Sequence, residues 1–245
     1  MDSWFDTHAH LDRYGAAERE EILTRAREAG VEVLGVAVDA ASAGAMAGMG
    51  GIAGRTVGLH PLQAAAWHPG VFSRLIAAPG VLAIGECGFD DAGPDPGLQE
   101  AAFRGQCALA REHGLPLVLH IAGRRAWEML EVRRDDLAGL AVVRHYFTGD
   151  RAQAEWHAVR GHLLSFGRPL LREVPLQATC RWYPRKLVLI ETDSYPLPGR
   201  ATEPRDVAGI GEAVARLWGW PAEETRRQLA ENTRSAFPGI GRRAD

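Results

Sequence analysis

One rhythm constrains this chain more than any other feature: short apolar runs alternate with helix-like stretches along its length. The runs are Trp4–His8, Val31–Val38, Arg55–Leu59, Val81–Glu86, Leu115–His120, Leu140–His145, His162–Phe166 and Lys186–Glu191. Helical patterns fall between them near Glu18–Ala29, Ala41–Ala53, Gly70–Ala77, Gly97–His113, Arg124–Val132, Arg151–Val159 and Leu170–Ala178. Two more, Pro204–Trp218 and Ala222–Ala236, follow the last run. Strands with so few polar interruptions are buried on both faces, which argues for a parallel sheet. At 245 residues, the expected solution is one domain, 1–245, folded as a (β/α)8 TIM barrel with room for slight distortion. A doubly wound open sheet competes, but no GxGxxG follows the first run, which weakens its dinucleotide-binding version.

Composition narrows the function classes. The formal net charge of −3 does not advertise tight binding to long duplex nucleic acid, which needs a basic surface. A small polyanion stays open, because bound cations reverse the local sign. The cysteines Cys87, Cys107 and Cys180 are odd in number and widely spaced, so neither a zinc ribbon nor a disulfide framework is suggested. No apolar run approaches the eighteen or so residues of a membrane span, and no basic stretch with a following apolar run opens the sequence. The expected setting is the cytoplasm, without a membrane.

Polar residues recur where the apolar runs end. Asp6, His8 and His10 close the first; His60 follows the third; Glu86, His120 and His145 end the fourth, fifth and sixth; Glu191 and Asp193 follow the eighth. In a β/α barrel such positions converge at the C-terminal ends of the strands, where barrel active sites lie. His8 and His10, two apart on a strand, point the same way and can chelate one ion, with Asp6 behind them as an orienter. A lone HxH is more often a hydrogen-bonded pair at a rim, but further His and carboxylates at strand ends argue for metal. Imidazole suits zinc and iron while carboxylate suits magnesium and manganese, so the ion is left open. Glu191 reads as support for Asp193 or for a basic partner. Cys87 reads as a small buried residue. His68, His113, His157 and His162 fall away from C-terminal strand ends and are left outside the site. Arg124 lies just beyond a strand end, within reach of a phosphate.

The strings DTHAHLD (6–12), GLHP (58–61), IGECGFD (84–90), LPLVLH (115–120), RHYFTG (144–149), LLSFG (163–167) and LIETDSYPL (189–197) occur in one order, with Gln99, Phe103 and Gln106 among them. This pattern resembles the TatD family of metal-dependent deoxyribonucleases, within the amidohydrolase superfamily. The resemblance implies two divalent metal ions (Mg2+, Mn2+ or Zn2+). It implies that His8, His10 and Asp193 hold the first, that His120 and His145 hold the second, and that Glu86 bridges them. Glu86 and Asp193 are then the catalytic carboxylates, with Asp193 assisting the attacking water, and His60 and Arg124 face the substrate phosphate. The chain departs from the family pattern in its loops: Arg124 stands two residues later than usual, the loop before Gln99 lacks an aromatic pair, and Thr202-Glu203-Pro204 replaces Asn-Glu-Pro.

The expected activity is a hydrolase acting on ester bonds, specifically a 3′-5′ DNA exonuclease or phosphodiesterase working on single-stranded DNA 3′ ends or another small phosphodiester. Two cations roughly 3.5–4 Å apart would clamp a substrate oxygen and activate water. The same machinery can polarise a carbonyl, so an ester such as aminoacyl-tRNA, or a small cyclic amide, is the alternative substrate class. A non-catalytic barrel within a multi-protein assembly is the reading from another class, and the intact ligand set argues against it.

Overall fold

The computed structural model describes residues 2–197, 199 and 202–240. In chain order the elements are β1 (Trp4–Ala9), α1 (Ala16–Glu28), β2 (Val31–Gly35), α2 (Ala40–Ala45), β3 (Gly54–Val57), α3 (Pro69–Ile76), β4 (Val81–Asp90), α4 (Pro96–His113), β5 (Leu117–Ala122), α5 (Arg124–Val132), β6 (Val142–Arg144), α6 (Arg151–Ala158), β7 (Leu163–Phe166), α7 (Val174–Trp182), β8 (Val188–Ile190), α8 (Val207–Trp218) and α9 (Ala222–Ala236). Among the described residues the eight strands form one sheet in the order β1 to β8. A parallel bridge between Ala9 and Ser194 joins the C-terminal end of the last to the first. This order, with a helix after every strand, is the (β/α)8 barrel class expected from the sequence.

The described residues group into two compact units, one drawn from 1–35, 51–53 and 145–245 and the other from 36–50 and 54–144. In the first, β1 pairs with β2 and β7 with β8, all parallel. Val207, Ile210, Val214 and Trp218 of α8 and Leu229 of α9 are buried. Each such side chain contributes roughly 1.5–3 kcal/mol on burial. Gly211 lets α8 close onto the Trp4 ring, which a Cβ there would strike. The Asn232 amide donates to the carbonyls of Arg185 (2.7 Å) and Val188 (2.8 Å), tying α9 to the entrance of β8.

In the second unit β3, β4, β5 and β6 pair in parallel succession. Helix α4 carries two buried amides that stitch strand ends. The Gln106 side chain accepts the Leu59 N–H (2.8 Å) and donates to the Leu59 carbonyl (3.0 Å). Gln99 accepts the Asp90 N–H (2.9 Å) and donates to the carbonyls of Asp90 (3.1 Å) and Pro94 (2.9 Å). Each pairing satisfies backbone groups near the end of a strand.

Some boundaries differ from expectation, each for a local reason. The expected helix Ala41–Ala53 stops at Ala45, since Gly48 and Gly51 take positive φ (74° and 79°) and carry the chain out of the helix. The expected helix Leu170–Ala178 is displaced to Val174–Trp182: Pro175 occupies its first turn, where a missing N–H costs nothing. The fourth strand runs past Glu86 to Asp90, paired with β5 through Gly88–His120, Phe89–Ile121 and Asp90–Ala122.

Candidate metal centre

In the first unit, His8, His10 and Asp193 converge. His10 Nε2 lies 3.2 Å from Asp193 Oδ1, and His8 Nε2 lies 3.9 Å from the same oxygen. The approach is built from backbone: Asp193 N–H donates to the His8 carbonyl (2.9 Å) and His10 N–H donates to the Ser194 carbonyl (2.9 Å). Asp193 sits at φ 52°, a left-handed conformation that aspartate tolerates better than most side chains. Burial pushes its carboxyl pKa up, yet the hydrogen bond from His10 and the nearby imidazoles of His8 and His145 outweigh this and hold it at about 2.

His145 stacks on His8 with ring centroids 4.1 Å apart. Its Nδ1 lies 3.2 Å from Glu191 Oε1, so the basic partner expected for Glu191 is His145. Asp6 differs from expectation. It accepts the N–H groups of His8 (3.3 Å) and Thr192 (2.8 Å) and the Thr192 hydroxyl (2.5 Å). It therefore fastens the backbones that carry the ligands. Complete burial raises its pKa to about 8, although these hydrogen bonds oppose the shift.

In the second unit, Glu86, His120, His60 and Asp90 come together. His120 Nδ1 lies 2.7 Å from Glu86 Oε1, and His120 Nε2 lies 3.2 Å from Asp90 Oδ2. The hydrogen bond from His120 lowers the Asp90 pKa. His60 Nε2 lies 3.6 Å from Glu86 Oε1, while its Nδ1 accepts the Leu62 N–H at 3.1 Å. Neutral His60 therefore carries its proton on Nε2, facing Glu86 as a donor. Strand spacing around these residues depends on glycine. A Cβ at Gly85 (φ 138°) would meet the Val118 carbonyl, and one at Gly88 (φ 142°) would meet that of His120.

Six of the expected site residues thus fall into two clusters: His8, His10, His145 and Asp193 in one unit, Glu86 and His120 in the other. His60 joins the second. Arg124 joins neither; it opens α5, its side chain is 91% exposed, and it pairs with Glu128 at 3.6 Å. Asp90 was missed by the sequence reading. The available signal was strand period: Asp90 follows Glu86 by four residues and Gly88 by two, which places it on the same face.

The donor sets fit divalent cations. His8, His10 and Asp193 offer ligand atoms within 4.8 Å of one another, as do His8, His145 and Glu191, and His60, Asp90 and His120. Mixed imidazole and carboxylate donors suit zinc and manganese, and carboxylates suit magnesium. Together, barrel and donor clusters define a metal-dependent hydrolase. Residues 5–238 match the TatD related DNase family, and the chain belongs to it. A metal-dependent hydrolase TatD from Mycobacterium tuberculosis is 33% identical, with 96% of this chain and 98% of that protein aligned. A 3′-5′ ssDNA/RNA exonuclease TatD from Erwinia amylovora is 32% identical over 91% of this chain and 94% of its own length. The crystal structure of YjjV, a TatD homologue from Escherichia coli, superposes with a TM-score of 0.80 at 27% identity, covering 96% of this chain and 97% of its own.

Proposed function

We propose that residues 1–245 act as one hydrolase that shortens single-stranded DNA from its 3′ end with two divalent cations. The observation that carries this is the pairing of His8 and His10 with Asp193 in one unit, together with a carboxylate–imidazole pair of Glu86 and His120 in the other. As the family resemblance implies, one cation would be held by His8, His10 and Asp193 and the other by Glu86, His120 and His145, with Glu86 available to both. Mg2+, Mn2+ and Zn2+ are all compatible with these donors. Such cations supply Lewis-acid stabilisation of a phosphoryl oxygen and activate a water.

The chain's own residues do the rest. Asp193, kept ionised by the hydrogen bond from His10 and the nearby imidazoles of His8 and His145, would hold the first cation and assist the attacking water, as the family resemblance implies. His60 stands beside Glu86, where the family resemblance places it near the substrate phosphate. Arg124 opens α5, exposed and 3.6 Å from Glu128, and is the cation this reading offers to a substrate phosphate. Beside His10 stands Tyr195, ring centroids 6.1 Å apart, with the Arg13 guanidinium 5.2 Å from the Tyr195 ring. An aromatic face joined to a cation is how single strands are gripped without reading their sequence. The substrate assignment also draws support from the Erwinia amylovora relative, named as an exonuclease of ssDNA and RNA. Three buried free thiols, Cys87, Cys107 and Cys180, suit a reducing cytoplasm, and among the described residues no helix is long and apolar enough to cross a membrane.

The test is hydrolysis of a short 5′-labelled single-stranded DNA by the metal-supplemented full chain and by Glu86→Ala. The expected result is a ladder shortening from the 3′ end in the wild type and none in the variant. A folded, metal-loaded wild type that leaves DNA intact but frees amino acid from aminoacyl-tRNA overturns the substrate and moves the chemistry to carbonyl esters.

A further inference from the structure

Two carboxylates flank one imidazole: Glu86 at Nδ1 of His120 (2.7 Å) and Asp90 at Nε2 (3.2 Å). A neutral imidazole has one N–H and one lone pair, so it can serve only one of the two. The nitrogen left with the lone pair faces a carboxylate with a cation between them or is repelled by it.

The surroundings decide which nitrogen holds the proton. Asp90 starts from a fixed point, because Gln99 grips both its N–H and its carbonyl. Glu86 is already faced by the Nε2–H of His60 and is almost fully buried, whereas the Asp90 side chain is 14% exposed. The third member of the cluster argues against Asp90 as a metal ligand. A cation shared by His60, Asp90 and His120 would need the His60 Nε2 lone pair, and the Leu62 N–H bond at Nδ1 has already placed the proton on Nε2.

We infer that Asp90 is a positioning residue: it accepts the Nε2–H of His120 and so commits Nδ1, as a lone-pair donor, to the cation that Glu86 also holds. A carboxylate on the far nitrogen of a ligating histidine fixes the ring and raises its donor strength. The inference rests on the two-cation reading above but not on the identity of the substrate.

The experiment is a Mn2+ titration of the chelator-stripped full chain, comparing wild type, Asp90→Asn and Asp90→Ala. All three should bind the same number of ions. Asp90→Ala should weaken one class of site by about 10- to 100-fold. Asp90→Asn should weaken it less, because an amide oxygen still accepts the Nε2–H. Loss of a whole equivalent in Asp90→Asn makes Asp90 a ligand and overturns the proposal, as does equal affinity in all three. A second readout needs no variant at Asp90. In 15N spectra of the zinc-loaded wild type, with His120 assigned through His120→Gln, Nε2 should carry the proton; a proton on Nδ1 overturns the proposal. Neither readout involves DNA, so failure of the nuclease reading is separately visible.

Discussion

A single oxygen, Glu191 Oε1, accepts the Tyr146 N–H at 2.6 Å and lies 3.2 Å from Nδ1 of the adjacent His145. It holds both the ring and the backbone at the point where β6 has ended and Tyr146 takes a positive φ of 43°. Glu191→Ala is therefore expected to act twice. Removing this acceptor from the part-buried Tyr146 N–H costs about 1 kcal/mol, measurable by urea unfolding of the metal-free chain. Releasing the ring weakens cation binding by about tenfold or more, measurable by Mn2+ titration. A variant with wild-type affinity would show that stacking on His8 suffices to orient His145.

Acid sensitivity is expected from a pair of histidines far from the chemistry. His157 Nδ1 and His162 Nδ1 lie 3.0 Å apart and both side chains are buried. Burial lowers the His162 pKa from 6.5 to about 4. The unfolded chain binds this proton below pH 6.5 while the folded chain does not, so stability falls as pH drops from 6.5 toward 4. The loss over that window amounts to about 3 kcal/mol. Urea midpoints at pH 4.5 and 7, for wild type and His162→Gln, check it; the variant's pH slope should be shallower, and parallel slopes would remove His162 as the cause.

Substrate affinity is expected to depend on the Arg13–Tyr195 pair. Tyr195→Ala should lose about 1–3 kcal/mol of binding to a short single strand. Arg13→Gln should reduce the salt slope of log K by about 0.7, one phosphate contact's worth. Fluorescence anisotropy with Ca2+ in place of the catalytic ion reads both, and metal stoichiometry should stay unchanged. Unaltered affinity in both variants would place the strand elsewhere.

Gln106→Leu should be costly although the residue touches no expected ligand. It strips partners from both the N–H and the carbonyl of Leu59, beside His60. The expected loss is roughly 2 kcal/mol or more, again by urea unfolding. A loss below about 1 kcal/mol would mean that water or a backbone shift satisfies Leu59 instead.

The fold was legible because burial on both strand faces leaves a plain signature, and the candidate metal residues because they interrupt apolar runs at their ends. His8, His10, Glu86, His120, His145 and Asp193 all stand at such interruptions. What escaped depends on contacts distant in sequence. Asp6 looked like a partner for its neighbouring histidines, but its second oxygen is taken by Thr192, 186 positions away. Glu191 was left between Asp193 and a basic partner, and the basic partner proves to be His145, 46 positions away. The glycine-rich end of the expected second helix needed the positive φ of Gly48 and Gly51 to be known before its length could be read.

Gly85 and Gly88 bear on how tolerance to substitution should be interpreted. Any side chain at either position would drive β4 off β5 at the carbonyls of Val118 and His120, and with it the spacing between Glu86 and His120. In a saturation scan scored by activity, both positions would therefore behave like members of the catalytic machinery, silent in almost every replacement, though neither offers an atom to metal or substrate. Intolerance mapped onto this strand marks where two backbones must nearly touch, and only direct measurement of ion binding separates those positions from the residues that hold the ions.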